Sequence, residues 1–404
     1  MNRLRLKIER AIADRGPIPF SRYMELCLYD PKLGYYARNA EQFGKAGDFY
    51  TSSDVHAVFG RLMARQFEEM WRVLGSPERL DLVELGPGRG LFAQDVLDWS
   101  EKKFPDFFQA LRYVLVERSP ALRERIETTL TNHLRSGKAV CISTIEAAGS
   151  EAIGKGTTSV VPNESTRRWP LAPEVPVIIF ANEFFDALPV EILSTNGSLR
   201  IDAREGRFVE TWAQSSSEEL EFLDRYSVHP EDGERLEAPI IAQRYMEGGA
   251  AGVQHGFIIA IDYGYTREEQ LGGRHRGTLK AIRKHSVSAN PYEAPGEQDI
   301  TADVNFTALA AAAEKRGMSA QKLVTQSQFL MGIGEANQFA DAFEDCRLPQ
   351  EKAKVALQLK HLVTPAGMGE SFHVLVAGKG VAWGGLDSLS GLNFGRRHSR
   401  AERG

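Results

Sequence analysis

Apolar residues recur at helical spacing along the segment 59–74. Phe59, Leu62, Met63, Phe67, Met70, Trp71 and Leu74 share one face, and Gly75 with Pro77 ends the run. Leu80 to Leu85 is a short apolar segment that runs into Gly86-Pro87-Gly88-Arg89-Gly90, and helical patterning resumes over 91–98. The spacing predicts strand, glycine-rich turn, helix. Leu111 to Val116 predicts a second strand closed by Glu117, 120–134 a helix, and Ala139 to Ile142 a third strand. Val175 to Ala181 and Gly256 to Ile261 are near-continuous apolar runs, as expected of strands covered on both faces. Helices are predicted at Asp303–Arg316 and 350–363, and a last strand at Phe372 to Ala377. Strands alternating with helices predict an α/β fold, a Rossmann-like parallel sheet with helices on both faces.

Two regions break the alternation. Residues 190–245 carry three strand-like segments and then a charged stretch, and read as an insertion. Residues 264–301 are rich in Gly, His, Pro and charge, and read as a long irregular lid or binding loop. The stretch 146–173 reads as a polar loop. The predicted layout is a helical N-terminal extension (1–78), a sheet domain (79–380) with those two insertions, and a loose tail (381–404).

Composition narrows the class. Forty-nine basic residues against 54 acidic ones give a net charge of −5, which argues against a nucleic-acid surface. Three scattered cysteines, Cys27, Cys141 and Cys346, fit a reducing compartment. The apolar runs are too short to span a bilayer. The first residues lack a signal-peptide core, and Glu9 and Asp14 fit a plain amphipathic first helix better than a mitochondrial leader. A cytoplasmic enzyme is the default expectation. No His or Cys pair stands at metal-ligand spacing, so no metal site is predicted.

The candidate chemistry lies at three places. Glu84 stands two residues before Gly86, and Gly86, Gly88 and Gly90 allow backbone to approach a ligand. A dinucleotide fingerprint needs a different spacing, Gly-x-Gly-x-x-Gly, and a carboxylate beside it would repel pyrophosphate. That carboxylate suits a ligand with a positive amino group, such as S-adenosylmethionine. The same glycines also fit a tight turn made only for packing. Glu117 is suited to accept hydrogen bonds from ribose hydroxyls, or to pair with Arg118 or Arg123. It follows Gly86 by 31 positions, against about 20 in dinucleotide sites. Asn182-Glu183-Phe184-Phe185-Asp186 follows an apolar strand, at the end where open α/β sheets bind ligands. It reads as a substrate-orienting loop, or as a helix start with Asn182 as cap. Thr51 and Ser52, in Gly47-Asp48-Phe49-Tyr50-Thr51-Ser52, are further candidates that also suit an ordinary N-cap. His285 stands inside the long loop, near Asp299 and Thr301 in sequence, and suits a structural hydrogen-bonding role as well as a catalytic one.

Together these segments resemble one family. Gly16-Pro-Ile-Pro-Phe20, Leu28-Tyr29-Asp-Pro with Gly34-Tyr-Tyr36, Gly47 to Ser52, Glu84 to Gly90, Asn182 to Val190, Ile261-Asp-Tyr-Gly264 and Gln298-Asp-Ile-Thr301 carry the likeness over roughly residues 10–380. The chain resembles the MidA-like S-adenosylmethionine-dependent methyltransferases, which include a mitochondrial arginine methyltransferase that assists assembly of respiratory complex I. The resemblance implies a class I methyltransferase fold, S-adenosylmethionine as cofactor, and a protein substrate, with a complex I subunit as the candidate. It implies a mitochondrial matrix setting for the mitochondrial relatives and leaves a homodimer open. Glu84, Gly86, Gly88, Gly90, Glu117, Asn182, Thr51 and Ser52 are then expected at the cofactor. Glu183 and Asp186 are expected to hold a guanidinium, with His285 taking a proton or seating the lid. Two other readings remain: an assembly chaperone that binds the cofactor without turnover, and an NAD-dependent oxidoreductase, which the glycine spacing disfavours.

Overall fold

Seven strands of the central sheet, labelled here in chain order, are β1 (Leu80–Leu85), β2 (Leu111–Val116), β3 (Ala139–Ile142), β4 (Val177–Asn182), β5 (Gly256–Tyr265), β6 (Ser319–Ala320) and β7 (Phe372–Lys379). The computed structural model describes residues 2–37, 57–143, 174–283, 286–288, 290–335, 337–381 and 384–394. The strand order is β3-β2-β1-β4-β5-β7-β6. β1 to β5 pair in parallel, whereas β7 runs antiparallel between β5 and β6. The order reverses between β1 and β4. That is the topological switch point, where a crevice opens beyond the carboxyl ends of the strands.

The apolar runs are continuous because both faces of the sheet are covered. Leu82, Ile178, Phe180, Phe257 and Ile259 pack on one face with the helix α3 (Ala57–Val73) and the helix α4 (Leu91–Lys103). Phe92 stacks on Phe180 at 4.7 Å between ring centroids, and Phe67 meets Phe180 edge-on at 5.4 Å. Val83, Leu85, Ile179, Ala181 and Ile258 face the other side, against helices Ile240–Gly252 and Phe306–Glu314. The latter starts three residues later than the sequence pattern predicts. Val304–Asn305 is spent pairing with β5, and the Asn305 side chain caps Ala308 N–H at 3.0 Å.

The insertion over 190–245 contains strands Glu191–Ser194, Gly197–Arg204, Arg207–Ala213 and Leu236–Ala238. The N-terminal segment is not purely helical. Between α1 (Arg3–Arg15) and α2 (Phe20–Tyr29), Ile18–Pro19 pairs antiparallel with Arg200–Ile201 of the insertion. Leu4, Ile8, Phe20 and Met24 form one core with Ile192, Leu199 and Ile201, so the two ends of this contact depend on one another. The stretch 264–301 also differs from the irregular loop expected. It holds the short helix Arg267–Leu271 and a sheet of Lys280–Arg283 between Ser286–Ser288 and Asp299–Thr301. Its polar composition hid that order, because the strands are three or four residues long. The C-terminal segment, expected as a loose tail, is packed as far as Gly391. Leu389 is fully buried, and Gly391 N–H donates to the Gln66 side chain at 3.0 Å.

Candidate functional site

β1 ends at the glycine turn. Gly86 N–H donates to Val116 O at 3.1 Å, and Gly90 N–H to Pro87 O at 2.9 Å. Gly86, Gly88 and Gly90 all have left-handed backbones, with φ of +65°, +56° and +76°. A side chain at any of them is strained. Their surroundings differ. A Cβ on Gly86 would press on the Phe184 ring at 3.0 Å, and one on Gly90 on Ile126 at 3.3 Å. A Cβ on Gly88 would meet nothing within 4 Å. The middle glycine therefore presents bare backbone to open space, which is what a closely approaching ligand needs.

Two buried carboxyls flank this turn. The Glu117 carboxylate accepts Ser119 N–H at 2.8 Å and is also held by the backbone N–H of Gly88. Burial pushes its pKa up to about 7, while those N–H groups and Arg123 pull the other way. Glu84 lies on the same face of β1 as Leu80 and Leu82, so its carboxyl sits at the end of an apolar core face. Tyr113 of β2 donates its hydroxyl to Glu84 at 2.9 Å. Burial pushes Glu84 up to about 8; the Tyr113 bond opposes this and the nearby Glu117 adds to it. A cation at the turn would offset the desolvation of both carboxyls. The open Gly88 backbone and the paired acids thus fit a cofactor with a ribose and positive charge. Glu84, Gly86, Gly88, Gly90 and Glu117 are brought together as the sequence predicts.

The other side of the crevice is the loop after β4. Asn182 closes that strand and donates its amide to Glu183 Oε1 at 3.2 Å. It is therefore not a helix cap. Glu183 has φ +49°, unusual for a residue with a side chain, and its N–H donates to Ile261 O at 2.9 Å. What holds the loop is Asp262 on β5. One oxygen, Oδ2, accepts the N–H groups of Phe184, Phe185 and Asp186 at 3.2, 3.0 and 3.3 Å, and Oδ1 accepts Tyr263 N–H at 3.0 Å. Asp262 is fully buried. Burial, then Asp186 and Glu183, raise its pKa well above the usual carboxylate range. A buried carboxylate needs such donors to be tolerated.

Asp186 is also buried. Tyr263 donates its hydroxyl to Asp186 Oδ2 at 2.6 Å, and the Ala187 backbone N–H also bears on this buried carboxyl. Burial is the main cause raising Asp186 to about 6; the Tyr263 bond opposes it and Asp303 adds to it. Asp303 is itself held by Lys280 Nζ at 3.0 Å and His275 Nδ1 at 3.1 Å. The N-terminal segment reaches the same place. Tyr29 donates its hydroxyl to Ala187 O at 2.9 Å, and Tyr36 donates to Asp299 at 3.0 Å. Burial and the charges of Asp299 and Asp186 raise the pKa of both tyrosines. The result is a wall of carboxylates and tyrosine hydroxyls, suited to a planar cation that donates several hydrogen bonds.

Sequence reasoning picked Glu183 and Asp186 but did not assign roles to Asp262, Tyr263, Tyr29 or Tyr36. All four stand in the motifs Leu28-Tyr29-Asp, Gly34-Tyr-Tyr36 and Ile261-Asp-Tyr-Gly264, which was the available signal. Thr51, Ser52 and His285 lie outside the described residues.

The sequence model of the S-adenosyl-L-methionine-dependent methyltransferase family matches residues 62–324, which include the glycine turn, Glu117 and the loop after β4. The chain belongs to that family. Among curated relatives, the Drosophila melanogaster "Protein arginine methyltransferase NDUFAF7 homolog, mitochondrial" is 30% identical over 411 residues, covering 96% of this chain and 87% of the relative. The Homo sapiens "Protein arginine methyltransferase NDUFAF7, mitochondrial" is 29% identical, covering 90% and 80%. A solved COG1565 superfamily structure from Burkholderia thailandensis, bound to S-adenosyl-homocysteine, superposes with a TM-score of 0.77 at 25% identity, covering 96% of this chain and 94% of that one. The methyltransferase fold and its cofactor class are thereby shown, and the oxidoreductase alternative falls. Among the described residues no helix is long and apolar enough to cross a membrane.

Proposed function

We propose that this methyltransferase acts on arginine side chains of a protein, with a respiratory complex I subunit as the candidate acceptor and symmetric dimethylarginine as the product. The observation that carries the reading is the pair of acids, Glu183 and Asp186, set at the carboxyl end of β4 in a loop whose Phe184 packs against Gly86 of the glycine turn. The names of the relatives support the same acceptor class.

Glu84, Gly88 and Glu117 would hold the cofactor, with Asn182 between the two sides. Bound S-adenosylmethionine supplies a methyl group on a sulfonium, a carbon that is already activated for displacement. The protein's task is then alignment more than activation. Glu183 and Asp186 pair with the guanidinium, fix its plane and remove its water. Tyr263 holds Asp186 through Oδ2 and so fixes the plane of its carboxylate. Burial raises the Asp186 pKa, which makes this carboxylate a better proton acceptor than a free one for the proton that the methylated nitrogen loses.

The test is transfer of labelled methyl groups to proteins of a cell lysate, followed by hydrolysis and mass spectrometry. The reading expects label on arginine Nω. Label confined to lysine, histidine or carboxyl groups overturns it.

A further inference from the structure

The cofactor side and the acceptor side are joined through the pairing of β1 with β4. Here a second connection runs outside it. The turn after α2 is built rigidly: Asp30 Oδ1 accepts Lys32 and Leu33 N–H at 3.1 and 3.0 Å, and Gly34 N–H returns to Asp30 O at 3.0 Å. A Cβ on Gly34 would lie 2.5 Å from Asp30 N, so only glycine permits this turn. Its far side is seated on Gly296, where a Cβ would strike Leu33 O at 2.4 Å. The turn therefore has little freedom.

It carries Tyr36 between the two halves of the site. The Tyr36 carbonyl accepts the Ser119 hydroxyl at 2.8 Å, and Ser119 N–H is one of the donors on Glu117. The Tyr36 hydroxyl donates to Asp299 at 3.0 Å. Asp299 is buried and begins the strand Asp299–Thr301, after which Ala302 N–H donates to Asp186 O at 3.0 Å. The Tyr36 ring rests on Tyr29 at 5.4 Å and on Tyr35 at 5.3 Å. A continuous chain of contacts thus runs from Glu117 through Ser119, Tyr36 and Asp299 to Asp186.

We infer that Tyr36 is a positioning residue that ties the Glu117–Ser119 turn to the acceptor-side carboxylates, so that cofactor binding orders the segment around Asp299. It acts through Ser119 and Asp299 and does not touch the reacting atoms. The coupling is reciprocal: whatever orders Asp299 also tightens the cofactor turn. Calling Asp299 part of the acceptor side rests on the function proposed above; the link itself does not.

The experiment is amide hydrogen exchange by mass spectrometry on the full chain, with S-adenosylhomocysteine as the probe and no acceptor present. In the wild type, exchange should slow at least threefold both in 33–37 and in 297–302 when the probe saturates. In Tyr36→Phe, which keeps the ring and the carbonyl, 33–37 should still respond while the slowing at 297–302 disappears. Ser119→Ala should lose both responses, and thermal melting of each variant checks that it is folded. An unresponsive 297–302 in the wild type, or the same response in folded Tyr36→Phe, overturns the inference. Because no acceptor is used, either result is distinct from failure of the arginine reading.

Discussion

The two sides of the crevice are built differently. The cofactor side is local: Glu84 to Gly90 is one unbroken stretch, joined to Glu117 across a single strand pair. The side we propose for the acceptor is assembled from four distant segments, around Tyr29–Tyr36, Glu183–Asp186, Asp262–Tyr263 and Asp299–Asp303. Shape on the first side comes from backbone that only glycine adopts. On the second it comes from carboxylates that organise other chain segments. A local device tolerates changes elsewhere, whereas an assembled one fails when its organiser is lost.

The largest effect should follow from removing that organiser. Asp262→Ala strands four N–H donors, two of them buried, and losing their acceptor costs about 3 kcal/mol or more in a denaturant titration. The loop carrying Glu183 and Asp186 then loses its aim, so methyl transfer should fall at least ~100-fold. Asp262→Asn keeps an accepting oxygen and should retain more of both. Next, Asp186→Asn should lower methyl transfer about 100-fold, because the buried partner we propose for the guanidinium loses its charge. Its melting temperature should not fall, since the charge removed is a desolvated one. That split between activity and stability separates the two acids.

On the opposite side, Gly88→Val should weaken S-adenosylhomocysteine binding more than ~10-fold by calorimetry while costing only about 1–2 kcal/mol of stability. The protein itself leaves room at this position, so the loss should fall on the ligand. The smallest effect is on pH. Asp186 titrates near 6, so acceptor affinity should rise roughly tenfold from pH 5 to pH 7 as it ionises. Fold stability should move the other way. A carboxyl whose pKa is raised by folding favours the folded chain while protonated. Asp186 should therefore contribute most below about pH 4, the ordinary carboxylate range, and lose that contribution by pH 6. Glu117 and Glu84 extend the decline to about 7 and 8.

The same contrast explains what was legible in the sequence. The strands β1, β2, β4 and β5, the glycine turn and Glu117 could be read because each is encoded within a short window. Glu183 and Asp186 were legible by position, at the end of an apolar strand. Asp262 was visible only as a motif member, because its role depends on N–H groups 76 to 78 residues away. Tyr36 meets Asp299 across 263 residues, a contact no local pattern reports. The pairing of Ile18–Pro19 with the insertion was hidden for the same reason. The hydrogen bond from Tyr113 to Glu84 crosses 29 residues and is likewise absent from any local pattern.

On our proposal, Asp186 serves the acceptor and not the cofactor. It is tested most directly by measuring S-adenosylhomocysteine affinity and arginine methylation together in wild type and Asp186→Asn. Affinity should stay within about twofold of wild type, and arginine label should fall about 100-fold. Equal labelling by the variant, or a parallel collapse of cofactor affinity, would contradict it.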